Sequence, residues 1–327
     1  MTNSAHTVIS NDCRLGATTP VISVISPVFK AKDILPELVR RLHDTLAELT
    51  EDYEIILVDD RSPDGDWEVI REICRTDDKV KGIRLSINCG QNKAIIAGME
   101  AASGDFLIVM DCDLQEDVNS IRDLYAKIQE GYDVVLTKKK SREFGLLRNG
   151  ITRVFYAILT FLTNSSFSFY NTGLLSIINS KVKDAMLQVN TKNWFYLPVL
   201  SQVGFNRTQI EVTHHKRFAG KSSYSFKKLY LHGINLILGH SVKLLHISIG
   251  LGLVFVFFAL IWAAVLITVY FNGDPQSGYT SIMVALLLFT GLILSSIGVV
   301  GLYIGKIFEQ AKNDPDYFID QTLNFEK

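Results

Sequence analysis

Between Leu244 and Gly305 the chain carries no lysine or arginine, and Asp274 is its only formal charge. Few architectures accept so long an uncharged stretch. It divides into two apolar segments, Leu244–Phe271 and Ser281–Gly305. Each is long enough, as a helix rising ~1.5 Å per residue, to cross a hydrocarbon layer of ~30 Å. A pair of buried core helices is the other reading, and the uncharged length argues against it. Asn272–Thr280, with Gly273, Pro275 and Gly278, reads as the tight connection of a hairpin. Lys227, Lys228 and Lys243 precede the pair, Lys306 and Lys312 follow it, and the connection holds neither Lys nor Arg. The positive-inside rule then places both ends of the chain in the cytoplasm. The expectation is a two-helix transmembrane hairpin over residues 244–310, with a cytoplasmic tail over 311–327.

The rest of the chain has a different character. Of its 327 residues, 33 are Lys or Arg and 34 are Asp or Glu, a formal net charge of -1. That balance excludes a globally basic nucleic-acid binder, so no nucleic-acid partner is expected. Cys13, Cys74, Cys89 and Cys112 show neither metal-ligand spacing nor a disulfide-dense pattern, which suits a reducing compartment. Residues 1–20 lack the basic start and continuous apolar core of a signal peptide and read as a flexible tail.

From Val21 onward, short apolar runs alternate with helical patterns. Strands are predicted at Val21–Ser26, Tyr53–Val58, Val80–Leu85, Phe106–Met110 and Asp133–Thr137. Helices are predicted at Leu35–Leu49, Trp67–Cys74, Lys93–Ala102 and Ile121–Glu130. This alternation indicates an α/β domain with a mostly parallel sheet. Ligands of such sheets bind beyond the carboxyl ends of the strands. The polar clusters Pro27–Lys32, Asp59–Asp64, Asn88–Lys93 and Asp111–Gln115 fall at those ends. After Ser141 the pattern changes. Leu146–Leu162, with Arg148 and Arg153, suits a helix at a membrane surface or an amphipathic core helix equally. Ser222–His240 repeats it, giving a juxtamembrane helix over 222–243 and a domain over 21–221.

Asp111 and Asp113 stand one residue apart directly after an apolar strand, with Gln115 beyond. Two such carboxylates can share a hard divalent cation whose shell phosphate and water complete. A lone D-x-D is common by chance, and an acidic turn or helix cap is its ordinary explanation. A second acidic cluster after an earlier strand, Asp59-Asp60-Arg61-Ser62-Pro63-Asp64-Gly65, tips the balance. Its carboxylates suit a base or ribose, or simply a solvated turn. Asn88–Lys93 opens a helix where backbone N–H groups favour an anion, with helix capping as the alternative. Lys138, Lys139, Lys140, Arg142, Arg148 and Arg153 form a basic stretch suited to phosphates of substrate or lipid. His214, His215, Lys216, Arg217 and Lys221 form a second, which lacks the further ligand that a zinc site needs.

The runs VISVISPVFKAK, VDDRSPDG, NCGQNKAIIAG, SGDFLIVMDCDLQED and RFAGKSSYSFKKL together resemble family 2 glycosyltransferases of the polyprenyl-phosphate type. That resemblance implies a glycosyltransferase A-type nucleotide-binding domain and a metal-dependent, inverting transfer. It also implies a nucleotide-sugar donor, with uridine as the favoured nucleoside, and polyprenyl (undecaprenyl) phosphate as the acceptor. Asp111 and Asp113 match the residues that hold Mg2+ or Mn2+ and the diphosphate, and Gln115 matches the glutamine after them. Asp59 and Asp60 match a nucleoside-contacting pair, Pro27 the proline at the first strand end, and Lys138 a donor-side cation. Arg148, Arg153 and Arg217 match basic residues near the donor and acceptor phosphates, with Arg217 placed among the catalytic residues.

The resemblance further implies a multi-pass protein of the bacterial inner membrane, in contact with lipid, and allows a homo-oligomer. Its catalytic domain faces the cytoplasm and supplies lipid-linked sugar to the cell envelope, including lipopolysaccharide. Three departures stand out. Lys30 and Ala31 replace Asn-Glu, Ser223 replaces a lysine before Tyr224, and Asn171–Ser176 replaces an Asp-x-Gly stretch with a nearby acid and arginine. The last leaves open a non-catalytic assembly partner, and a polysaccharide-elongating enzyme is a second rival. The intact D-x-D opposes the first. The absence of Q-x-x-R-W and of further apolar spans opposes the second.

Overall fold

The computed structural model describes residues 21–139, 172–192, 194–212, 243–271, 278–312 and 314–325. The expected tail 1–20, the basic helix Leu146–Leu162, the segment Ser222–His240 and most of the hairpin connection lie outside the described residues. So do Asn171, Arg148, Arg153 and Arg217.

The chain begins β1 (Ile22–Val28), α1 (Leu35–Leu46), β2 (Tyr53–Asp59), α2 (Asp66–Thr76), β3 (Val80–Leu85), α3 (Gln91–Ala101), β4 (Phe106–Val109), α4 (Ser120–Ile128) and β5 (Val134–Lys139). It continues β6 (Thr172–Asn179), α5 (Ser180–Leu187), α6 (Tyr196–Val203), β7 (Arg207–Val212), α7 (Lys243–Phe271), α8 (Tyr279–Ala311) and β8 (Ile319–Leu323). One eight-stranded sheet runs β7-β5-β6-β4-β1-β2-β3-β8. β6 is antiparallel to both β4 and β5, β8 is antiparallel to β3, and the other pairs are parallel.

Every residue of β1 and β2 is buried, because helices cover both faces of the sheet. Alternate side chains therefore feed two cores. Ile22, Val24, Ile55 and Leu57 join Leu38 and Leu42 of α1 and Trp67 of α2 on one face. Ile25, Ile56 and Val58 join Ala94, Ile95 and Met99 of α3 on the other. α3 approaches so closely that a Cβ at Gly98 would lie under 3.0 Å from Ile25 Cγ2.

Pro27 does not end the first strand, as its residue type suggests. It sits inside β1, opposite Val58. The Ile25 carbonyl accepts from Met110 on the β4 side, and the Val28 carbonyl accepts from Asp60 on the β2 side. Groups of Pro27 point the same way as those of Ile25, toward β4, where pairing has already stopped at Ile25. The missing N–H thus removes no ladder bond. Residues 172–212, unassigned from sequence, supply two strands and two helices. The expected tail 311–327 contains β8, paired along the β3 edge.

The apolar hairpin is present as helices of 29 residues (α7) and 33 residues (α8). Large apolar side chains such as Leu253, Phe257, Phe258, Trp262, Ile293, Leu294 and Phe308 stand exposed along them. Among the described residues, however, no helix is long and apolar enough to cross a membrane. The two expected transmembrane helices are therefore not established as spans.

Candidate active site

Five parallel strand ends and the start of β6 meet on one edge of the sheet. β1 delivers Val28–Ala31 there, β2 delivers Asp59–Ser62, β4 delivers Asp111–Glu116 and β5 delivers Lys138. β3 leads to Asn88–Lys93, and β6, running the other way, begins at Thr172 opposite Lys138. Three non-glycine residues on this edge hold positive φ: Lys30 at 57°, Arg61 at 53° and Leu114 at 54°. Each sits in the loop following a central strand. Left-handed backbone at a branched or long side chain costs free energy, and the surrounding hydrogen bonds must hold it.

Hydrogen bonds between the loops do so. Lys30 N–H donates to Ser62 Oγ at 3.0 Å, and Ala31 N–H lies 3.1 Å from both carboxylate oxygens of Asp66. Ser62 N–H donates to Asp59 Oδ1 at 2.9 Å. The β1 and β2 loops are thus tied by Ser62 and Asp66, two residues of the D-D-x-S-x-x-x-D run whose part the sequence reading missed.

Asp59 is fully buried, and its second oxygen lies 3.4 Å from Arg84 Nε. Asp60 is 3% exposed and accepts from Cys89 N–H at 2.7 Å and Gly90 N–H at 2.9 Å. The anion expected at the start of α3 is therefore supplied by the protein itself, as an Asp60 carboxylate on two backbone amides. Gly90, at φ 89°, makes that turn. Asp59 and Asp60 are brought to the edge as the sequence predicted. Both point into the loop framework, which leaves their backbone and the loop surface to face a ligand.

Burial, first of all, and then the nearby Asp66 and Asp60 carboxylates push the Asp59 carboxyl up to about 6, against the Ser62 amide and Arg84. Burial likewise raises Asp60, opposed by its two amides. With its folded pKa above the ordinary 3.8, Asp59 binds a proton more tightly in the folded state. Its contribution to stability therefore falls as pH rises from about 4 to about 6, by on the order of 1 kcal/mol per pH unit, and is level above. Asp59→Asn is expected to remove that slope. Unfolding midpoints of both proteins between pH 4.5 and 7 check it: their difference must change across this window.

Asp111 and Asp113 are both partly exposed at the end of β4. Gln91 Nε2, in the first turn of α3, donates to Asp111 Oδ1. Asp113 Oδ1 accepts Gln115 N–H at 3.1 Å. Gln115 thus meets the pair through its backbone. Leu114, with its positive φ, turns the loop between them. Among the described residues no three His, Cys, Asp or Glu side chains gather as a metal site. Two hard carboxylates beside an open edge still fit Mg2+ or Mn2+, provided donor phosphates and water complete the shell.

Glu116 was not predicted. It is 5% exposed, and Oε2 accepts Leu175 N–H at 2.8 Å, while Thr137 Oγ1 donates to the Leu175 carbonyl at 2.7 Å. The D-x-D loop is so joined to β6. Ser176 Oγ lies 2.9 Å from the buried Tyr196 hydroxyl, and Tyr196 N–H donates to Asn92 Oδ1 at 3.1 Å. Lys138 is exposed at the end of β5. Pro27 lies in the strand floor beneath the loops. The sequence cue for Glu116 was its place in the acid-rich stretch Asp111–Asp117 after β4.

A mixed α/β sheet with its acidic residues on the carboxyl edge of the central strands has the layout of a glycosyltransferase A-type domain. Comparison with known proteins agrees. Residues 23–182 match glycosyl transferase family 2. An uncharacterized glycosyltransferase, YkcC of Bacillus subtilis, is 32% identical over 314 residues, covering 93% of this chain and 94% of the relative. The undecaprenyl-phosphate 4-deoxy-4-formamido-L-arabinose transferase of Proteus mirabilis is 32% identical over 311 residues, covering 94% and 95%. Among solved structures, glucosyl-3-phosphoglycerate synthase of Mycobacterium tuberculosis, with Mn2+, uridine diphosphate and phosphoglyceric acid, gives a TM-score of 0.48 at 14% identity, covering 67% of this chain and 77% of that one. The chain belongs to glycosyl transferase family 2, and it is a glycosyltransferase.

Proposed function

We propose that this enzyme transfers a sugar from a nucleotide-sugar donor, with UDP as the carrier, to undecaprenyl phosphate at the cytoplasmic face of a bacterial inner membrane. The observation that carries the acceptor is the 32% identity, over 94% of this chain, with a relative named for undecaprenyl phosphate. The exposed apolar surfaces of α7 and α8 support the membrane reading, as a hairpin with both ends on the cytoplasmic side. The product would be a lipid-linked sugar for the cell envelope.

In this reading the acceptor phosphate oxygen attacks C1 of the sugar. The C1–O bond to the acceptor forms as the C1–O bond to the diphosphate breaks, with inversion, and the nucleoside diphosphate leaves. A phosphate oxygen is already anionic, so no strong general base is needed. Positioning and charge stabilisation then carry the rate. Asp111 and Asp113, with Gln115 shaping their loop, would hold Mg2+ or Mn2+. When bound, such a cation supplies positive charge to the leaving diphosphate. Asp59 and Asp60 hold the nucleoside-side loops, Pro27 floors them, and Lys138 faces the donor. Arg148, Arg153 and Arg217 would bind the acceptor phosphate, with Arg217 among the catalytic residues.

Purified full-length protein, incubated with a panel of nucleotide sugars, Mn2+ and undecaprenyl phosphate, tests the proposal by mass spectrometry of the lipid. The expected result is one glycosyl-phosphate lipid from a UDP sugar. No transfer from any donor, alongside tight binding to a membrane protein, would favour the assembly-partner rival. The membrane reading is tested in vesicles: the chain should resist extraction by alkaline carbonate, and release into the wash would refute it.

A further inference from the structure

The residues that follow α8 do more than close the chain. Residues 314–325 cross the catalytic domain as a strap, and β8 within it pairs antiparallel with β3, Ile83 opposite Thr322 and Arg84 opposite Gln321. Backbone pairing alone would protect that sheet edge with almost any side chains. The side chains here are specific. Asp320 Oδ2 lies 2.5 Å from Arg61 Nη1, the left-handed residue at the tip of the β2 loop. Asp316 Oδ1 lies 2.7 Å from Lys93 Nζ, in the first turn of α3, and 3.7 Å from Lys192 Nζ. The Lys93 ammonium is sequestered from solvent, with its side chain 15% exposed. Trp67 Nε1 donates to Gln321 Oε1 at 2.8 Å, and the Asn324 amide donates to the carbonyls of Cys74, Asp77 and Val80.

The two charged contacts therefore fall on the two loops that Asp60 links. One loop holds Asp59, Asp60 and Ser62. The other leads through Gln91 to Asp111. The far end of the strap is anchored as well: Gln310 Nε2, near the end of α8, donates to the Asn190 carbonyl at 2.6 Å.

We propose that the C-terminal strap is a positioning device for the donor site, in which Asp320 and Asp316 hold the Arg61 loop and the start of α3 in the conformation that receives the nucleotide. Because the strap issues directly from α8, seating of the apolar hairpin and order of the donor loops become one event. The donor role rests on the function proposed above; the ordering role does not.

The test uses the full chain and a double variant, Asp316→Asn with Asp320→Asn. Amide exchange followed by mass spectrometry reads the two loops, since Ser62, Cys89 and Gly90 all donate their N–H to carboxylates. Peptides over 59–66 and 87–93 should exchange at least about tenfold faster, while β1 and β4 keep wild-type protection. Binding of UDP with Mn2+, as the probe, should weaken about fivefold. Reversing the pair, Arg61→Asp with Asp320→Arg, should restore protection over 59–66 relative to Asp320→Arg alone. Unchanged loop exchange overturns the proposal. So does loss of protection spread over the whole sheet, or a reversed pair that restores nothing. If wild-type protein binds no UDP while the loops respond as expected, the donor reading fails and the ordering role stands.

Discussion

Asp111→Asn and Asp113→Asn are each expected to lower sugar transfer by about 10³-fold, roughly 4 kcal/mol of transition-state stabilisation, with little change in folding. The fold should survive because both side chains are partly exposed and an asparagine can keep the bonds seen here. Its carbonyl oxygen still accepts from Gln91 Nε2 at position 111 and from Gln115 N–H at position 113. What it cannot keep is negative charge, which a divalent cation requires of a two-carboxylate site. Turnover at saturating donor, measured beside the unfolding midpoint, separates the two effects. Wild-type protein treated with chelator should show the same loss, reversed by Mn2+ or Mg2+. Near-normal turnover in both variants would remove the D-x-D pair from the mechanism.

How far the site can be read without coordinates depends on what each residue interacts with. β1, β2 and β4 are legible because strands buried on both faces must be continuous apolar runs, and the acidic residues following them can only lie at strand ends. Asp111, Asp113, Asp59 and Asp60 therefore reach one edge as predicted. The partners of Asp60 are not legible. Cys89 and Gly90 stand 29 and 30 residues away, and a carboxylate that caps a distant helix resembles one that awaits a ligand. The same limit hides β8. Ile319–Leu323 is short and mostly exposed, so its pattern carries no buried face, and its pairing with β3 is decided by contacts over 230 residues away in sequence. β6 and β7 lay beyond a basic segment that drew attention to membrane and phosphate instead. Pro27 misled in the opposite direction: proline does not stop a strand where its missing N–H faces no partner.

Gly173→Ala is the second change expected to have a large effect, and it concerns the strand that Glu116 ties to the D-x-D loop. Gly173 is the second residue of β6, beside Glu116 of the D-x-D loop. A Cβ there would lie under 3.0 Å from both Glu116 Oε1 and Thr137 Oγ1. Neither atom can yield cheaply. Glu116 is buried, with Oε2 held by Leu175 N–H, and Thr137 is fully buried, with its hydroxyl on the Leu175 carbonyl. One methyl group must displace the β5 side or the Glu116 side, and Glu116 leads straight back to Asp113. Overpacking of this kind, with a buried carboxylate pushed off its donor, should cost about 2–4 kcal/mol of stability. Turnover should fall at least about tenfold even well below the unfolding temperature, because a displacement near 1 Å at a positioned group can cost far more than its contact energy. Glu116→Gln is the matched control. It preserves shape and still offers an oxygen to Leu175, so it should unfold close to wild type. Thermal midpoints and turnover at a temperature where all three proteins are folded give the comparison. A Gly173→Ala protein with wild-type midpoint and turnover would mean that β6 has room for the methyl group, and that Glu116 does not tie this strand to the D-x-D loop.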